Sequence, residues 1–372
     1  MKHLKDNSYV AFLIFFIFAC SSDKNQTKKL IEGDLVSFAT DTIYLEKDLE
    51  TKSLPLEFTY HKEGDKEFLL GISGFNLLKY EYPAGNLVSK TTFEKEGPDG
   101  IGGFIAGNLI SEDGIFFISN QKEITHTDFE GKVLNRYPLP ETPEDRLAAN
   151  FSANRGNKIY WNGEKETLMV TDVPFLLKEK LMNYRDWVWE FDLKENTRDV
   201  ALQFTFPKEY NDYFDDPELG VYFHLFLKKT NQHLVAFPVS DSILVFNEGK
   251  PSKVFAGSNS QLEFKKGKTE ARGEYTVFLP SLETSRYQSM MHDPFQGLIF
   301  RHLVIEQGKN ENSVFSKNSF VLLDESLTKI GEVNFSNRKI NSMGFYTPNG
   351  FYLKMKDQTS DDEEGYIRFE FR

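Results

Sequence analysis

Cysteine is almost missing from this chain, with Cys20 the only one among 372 residues. No intrachain disulfide can form and no pair of thiolates can hold a metal, so stability has to come from a packed core. The length is ample for that. Catalytic signatures are missing as well: there is no G-x-S-x-G nucleophile elbow and no H-E-x-x-H zinc motif. No apolar run is long, the best being the eleven residues 9–19, against about 20 for a membrane-spanning helix. Positive charge is scarce, with 44 Lys and Arg against 56 Asp and Glu and a formal charge of −12. Such a chain repels phosphate backbones and anionic headgroups, which sets nucleic acid aside as a partner.

What is present begins with an address. Lys2 and Lys5 precede the apolar run, and Ala19 stands just before Cys20. Basic, then apolar, then small is the order of a secretory signal peptide. Ile17-Phe18-Ala19-Cys20 resembles the lipobox of bacterial lipoproteins. The resemblance implies that Cys20 becomes the N-terminus and carries acyl chains. Each buried CH₂ contributes about 0.8 kcal/mol, so two or three chains anchor stably where one does not. The following SSDKNQTKK is polar and cannot bury itself. The expected layout is a signal peptide over 1–19, lipidated Cys20 with a flexible tether over 20–33, and one folded domain over 34–372. Loss of the leader brings the charge to −13, so lipid rather than a basic patch holds the bilayer. Ser21, where an inner-membrane lipoprotein would carry Asp, favours the outer membrane by analogy with lipoprotein sorting.

Phenylalanine numbers 35 and aromatics make up 15% of the chain, a composition that favours strands. A hairpin recurs at 76–93, 123–139, 188–204, 242–255 and 319–335. In four copies the turn is Ala84-Gly85, Glu130-Gly131, Glu195-Asn196 or Glu248-Gly249, where Gly or Asn supplies positive φ, and Glu325-Ser326 is the weakest copy. Ahead of each hairpin runs a further strand: EFLLGIS, GIFFIS, NKIYW, HLVAF and GLIFRHLVI, with GFYLKMK opening a sixth unit that lacks its outer strand. The spare strand at 35–47 fits that gap and closes the ring. The expected fold is all-β, a six-bladed β-propeller whose N-terminal strand completes the C-terminal blade. Irregular spacing leaves a β-sandwich pair or jelly roll as the alternative. Residues 173–187 carry helix-like apolar spacing, and 257–284 read as a solvated excursion.

In FEKEGPDGIGGFIAGNLISEDGIFFISNQKEITHTDFEGKVL, a Gly-Pro-acidic loop, two short strands and a D-F-E-G-K turn follow one another. That stretch is similar to the repeats of NHL-like and TolB-like six-bladed propellers. The chain from Cys20 onward resembles bacterial propeller lipoproteins grouped as domains of unknown function. The resemblance implies a propeller in the cell envelope and carries over no catalytic residue.

The remaining motifs read as structure. GPDGIGGF (97–104) lacks the Lys-Ser/Thr of a P-loop and suits an inter-blade turn. His292-Asp293 precedes Pro294 and reads as a turn. Trp187, Trp189 and Phe191 alternate on one strand and read as blade packing. Acidic clusters at Asp212, Asp215, Asp216 and Glu218, and at Asp361, Asp362, Glu363 and Glu364, lack the alternating spacing of a calcium loop and read as solvated. Calcium is the one cofactor they could take. Segments expected to line the channel, 147–156, 221–226, 285–293 and 340–346, with Arg146 just before the first, supply Arg146, Asn150, Tyr222, His224, Arg286, Tyr287, His292 and Asn341. These eight form the candidate ligand set, suited to a small polar or carbohydrate-like ligand. The leading functional expectation is a non-enzymatic, lipid-anchored module binding an envelope protein or glycan. The alternatives are a calcium-dependent hydrolase or lyase at the channel mouth, for which the inner segments are short of carboxylates, and a scaffold role beside an envelope machine.

Overall fold

The computed structural model describes residues 30–119, 123–140, 151, 153, 156–173, 183–247, 251–309, 314–358 and 360–371. Two strands open it, β1 (Ile31–Asp34) and β2 (Ala39–Glu46), joined by a 3₁₀ turn at Leu35–Phe38. Blade 1 is β3 (Thr59–Glu63), β4 (Lys66–Ser73), β5 (Asn76–Glu81) and β6 (Leu87–Thr92). Blade 2 is β7 (Ile105–Ser111), β8 (Gly114–Ser119), β9 (Glu123–Thr127) and β10 (Val133–Pro138). Blade 3 is β11 (Tyr160–Asn162), β12 (Thr167–Thr171), β13 (Asp186–Asp192) and β14 (Thr197–Gln203). Blade 4 is β15 (Phe223–Leu227), β16 (Gln232–Ala236), β17 (Ser242–Phe246) and β18 (Ser252–Phe255). A separate hairpin, β19 (Lys268–Arg272) and β20 (Tyr275–Leu279), follows. Blade 5 is β21 (Arg286–Asp293), β22 (Leu298–Lys309), β23 (Val314–Asp324) and β24 (Lys329–Ser336). Blade 6 is β25 (Ile340–Thr347), β26 (Gly350–Met355) and β27 (Glu363–Phe369), and β2 is its outer strand.

The N-terminal strand therefore closes the ring as the sequence predicts, with β2 antiparallel to β27 from Ala39 opposite Phe369 to Glu46 opposite Glu363. Beyond that expectation, β1 adds a fifth strand to blade 5, parallel to β24. One N-terminal segment thus stitches two blades.

Each blade is covered on both faces by its neighbours, so strand residues of either parity are buried. GIFFIS in β8 is buried at all six positions, where a sheet with one wet face would alternate. Six apolar clusters fill the spaces between blades. Aromatic rings supply edge-to-face contacts there, such as Trp187 with Tyr222 at 5.4 Å and Phe58 with Phe345 at 5.3 Å.

The alternation expected for Trp187, Trp189 and Phe191 fails. A register shift at Asp186–Trp189 puts Trp187 in the layer toward blade 4, while Trp189 and Phe191 face the layer toward blade 2. NKIYW belongs to the innermost strand of blade 3, not its second, because β12 follows it. The expected turns hold: Gly85 has φ 86° and Asn196 φ 52°. Residues 97–104 join β6 to β7. Part of the 173–187 insertion, residues 174–182, lies outside the described residues, as does the Gly249 turn.

Two acidic residues expected in solvated loops are buried. Asp216 accepts backbone N–H groups from Glu218, Leu219 and Gly267, which pins the base of the β19–β20 excursion. Glu364 pairs with Lys354. Both are structural because their oxygens satisfy buried donors.

Candidate functional site

The six innermost strands converge on a cavity of about 770 Å³ at one end of the central channel. Blade 2 contributes Asn108, Leu109 and Ile110, blade 4 Leu225 and Phe226, and blade 6 Met343 to Tyr346. These residues run from the middle of β7, β15 and β25 toward their C-terminal ends. Blade 5 reaches further, through Met290, Met291 and His292 and the following turn residues Pro294 and Phe295. Blade 1 lines the wall with residues 55–60 and blade 3 with Lys158, Ile159 and Tyr160. The wall is chiefly aliphatic, thioether and aromatic. Tyr60 stacks edge-on against Phe295 at 5.6 Å, and Tyr160 against Phe226 at 5.8 Å.

One ion pair interrupts this apolar wall. Lys158 Nζ donates to Glu57 Oε2, linking blades 1 and 3 past blade 2. Both side chains are partly exposed. Tyr60 donates to Glu67 Oε1 at 2.5 Å. Burial, with that carboxylate, pushes its hydroxyl up to about 12. His292 Nε2 lies 3.3 Å from Glu325 Oε1, and Lys229 Nζ donates to the other oxygen, Oε2, at 3.1 Å. Burial lowers the His292 pKa, and Glu325 opposes the shift. Asp293 turns away from the cavity and accepts the N–H groups of Phe295 and Gln296, fixing the turn that presents Phe295. Burial raises its pKa to about 6, against the pull of those two N–H groups.

Of the eight candidate residues, the cavity includes His292. Arg146 and Asn150 lie outside the described residues. Tyr222 is buried between blades 3 and 4, its hydroxyl donating to Asp172 O at 2.8 Å and Trp187 O at 3.2 Å. His224 is buried beside it and shares a 3.0 Å hydrogen bond with His233. Arg286 faces Glu218 at 3.3 Å. Tyr287 donates to Asp241 at 2.5 Å and packs under the Arg301 guanidinium, 3.5 Å from the ring centre. Arg301 in turn donates to Ala256 O at 3.0 Å, clamping blades 4 and 5. Asn341 donates to Lys354 O within blade 6. Tyr222, Arg286 and Tyr287 are taken up by neighbouring blades and their connections, His224 and Asn341 by bonds within their own blades, and none of the five lines the cavity.

Glu57, Tyr60, Lys158, Phe226 and Phe295 escaped the sequence reading. The one signal available was position: each lies near the start or end of a short strand leading into a turn. Among the described residues, no three His, Cys, Asp or Glu side chains come together to hold a metal. No helix among them is long and apolar enough to cross a membrane.

Four-stranded blades around a channel, with a cavity at one mouth, define a six-bladed β-propeller. Within that class the chain belongs to the DUF4221 family, a domain of unknown function whose profile matches residues 27–334. A solved member of that family from Bacteroides vulgatus is 15% identical, covers 89% of this chain and 97% of its own, and superposes with a TM-score of 0.70. A candidate exported protein from Bacteroides fragilis is 10% identical, covers 91% of this chain and 99% of its own, and superposes at 0.54. No curated protein matches the chain significantly.

Proposed function

We propose that this propeller is a non-enzymatic binding module, lipid-anchored through Cys20 in the bacterial cell envelope, which receives a ligand with a largely apolar body in the channel-mouth cavity. The observation that carries the binding reading is the cavity itself. All six blades contribute to a concave, apolar and aromatic space with a few placed polar groups, the usual make-up of a small-molecule site. That lining favours an amphiphile over the carbohydrate that the sequence suggested. The lipobox at Ile17–Cys20 supports the anchor, and the candidate exported protein from B. fragilis, of the same fold, is in keeping with an envelope location.

Detergent-solubilised full chain would be titrated with a dansyl-labelled fatty acid. Saturable fluorescence enhancement, abolished by Met291→Glu in the wall, is the expected result. No enhancement, together with a calcium-dependent rise in melting temperature, would transfer the reading to a metal-dependent hydrolase or lyase. Membrane fractionation of wild type against Cys20→Ser tests the anchor.

A further inference from the structure

The first strand shows where the chain enters the ring. β1 runs parallel to β24 with Ile31 opposite Gly331 and Asp34 opposite Asn334. That end of blade 5 can be followed inward strand by strand. Lys329 pairs with Leu323, Asp324 with Leu298, and Leu298 with Asp293. Asp293 ends the innermost strand, and the turn beyond it holds Pro294 and Phe295, which line the cavity. Phe295, which lines the cavity on this side, is 46% exposed. The same side carries the tight turns at Gly64-Asp65, Glu112-Asp113 and Pro348-Asn349, between the first and second strands of their blades. The longer connections, including the β19–β20 excursion, leave from the opposite side.

Entry at this point is built into the sheet. A Cβ on Gly331 would lie 2.2 Å from Ile31 O, so a larger residue there could not admit β1. Nine residues lie between Cys20 and Leu30, the first described residue, and each of the ten steps spans at most about 3.3–3.6 Å when extended. Acylation at Cys20 would therefore hold the rim where β1 enters within about 33–36 Å of the anchored surface.

We infer that the cavity mouth faces the bilayer and that its occupant is the hydrocarbon part of a membrane amphiphile, entering past Phe295. This rests on acylation of Cys20 and on the cavity as the binding site. Met290, Met291 and Met343 in the wall are flexible and polarisable, suited to a chain with many conformers. The formal charge near −13 gives no attraction to anionic headgroups, which leaves tether and apolar contact to direct the approach.

The test uses the full acylated chain in phosphatidylcholine vesicles. Acylation consumes Cys20, so one introduced cysteine is the sole free thiol. Asp65→Cys places a bimane label on the cavity side and Asp357→Cys, in the loop between β26 and β27, on the other. With nitroxide-headgroup lipid, quenching at 65 should exceed that at 357 several-fold. A phosphatidylcholine carrying a diazirine in its acyl chain should label the Met290–Phe295 peptide, and Met291→Glu should suppress the labelling. If wild type floats with vesicles no better than Cys20→Ser, the anchor fails and the inference falls with it. If the chain is anchored but 357 is quenched more, the orientation is overturned. Correct orientation without labelling in the cavity, or with labelling indifferent to Met291→Glu, overturns the occupant.

Discussion

Lys354 Nζ lies 2.5 Å from Glu364 Oε2, and both side chains are about 7% exposed. The pair also grips the segment leading from β2 to β3: Lys354 donates to Ser53 Oγ and Leu54 O, each at 2.9 Å, while Glu364 accepts the Leu54 N–H at 2.9 Å. Ring closure therefore rests on this polar knot as well as on the β2–β27 ladder. Lys354→Met strands a buried carboxylate and should lower stability by about 3–5 kcal/mol. Adding Glu364→Leu should recover a large part of the loss. Urea midpoints of the two variants check both statements.

Acid should weaken the fold through its histidines. Burial holds His233 down to about 4, and burial with His233 alongside holds His224 well below its ordinary value. A depressed folded pKa contributes stability above about 6.5 and loses it as pH falls toward the folded value. Asp293 acts oppositely: its raised pKa of about 6 favours the folded state as pH falls from 6 toward 4. Two histidines outweigh one aspartate, so the urea midpoint should fall between pH 7 and pH 4.5. His233→Gln should flatten that slope and Asp293→Asn should steepen it.

The Glu57–Lys158 pair should matter little to stability. Both partners are roughly a third exposed, and such pairs contribute about 0–1 kcal/mol. Lys158→Ala should leave the melting temperature nearly unchanged while altering affinity for the dansyl fatty acid. A large loss of stability with unaltered affinity would make the pair a structural strut.

Gly331→Val should detach β1 without opening the ring. Only four pairings join β1 to β24, whereas closure runs through β2 and β27. Amide exchange at Ile31–Asp34 should accelerate, with the urea midpoint barely moved. Protection retained at the amides that β1 donates to β24 would contradict the geometry.

The hairpin turns were legible because their chemistry is local. Gly85 and Asn196 sit where a tight turn needs positive φ, and they take it. The candidate site was far less legible. Tyr222, His224, Arg286 and Tyr287 are polar residues on or beside inner strands, yet each is spent on contacts outside the cavity. Strand periodicity says that a side chain leaves one face or the other; it does not say that both faces of a blade are covered.

By itself the sequence determined the all-β class, the hairpin units, their number and the N-terminal strand that completes the last blade, because turn residues and apolar strands act over a few positions. The tertiary structure alone decided which strand ends meet at the axis, that Glu57 and Lys158 reach each other across 101 positions, and that β1 enters on the cavity side. Those relations depend on how six blades are staggered around a common channel, and no local pattern encodes the stagger.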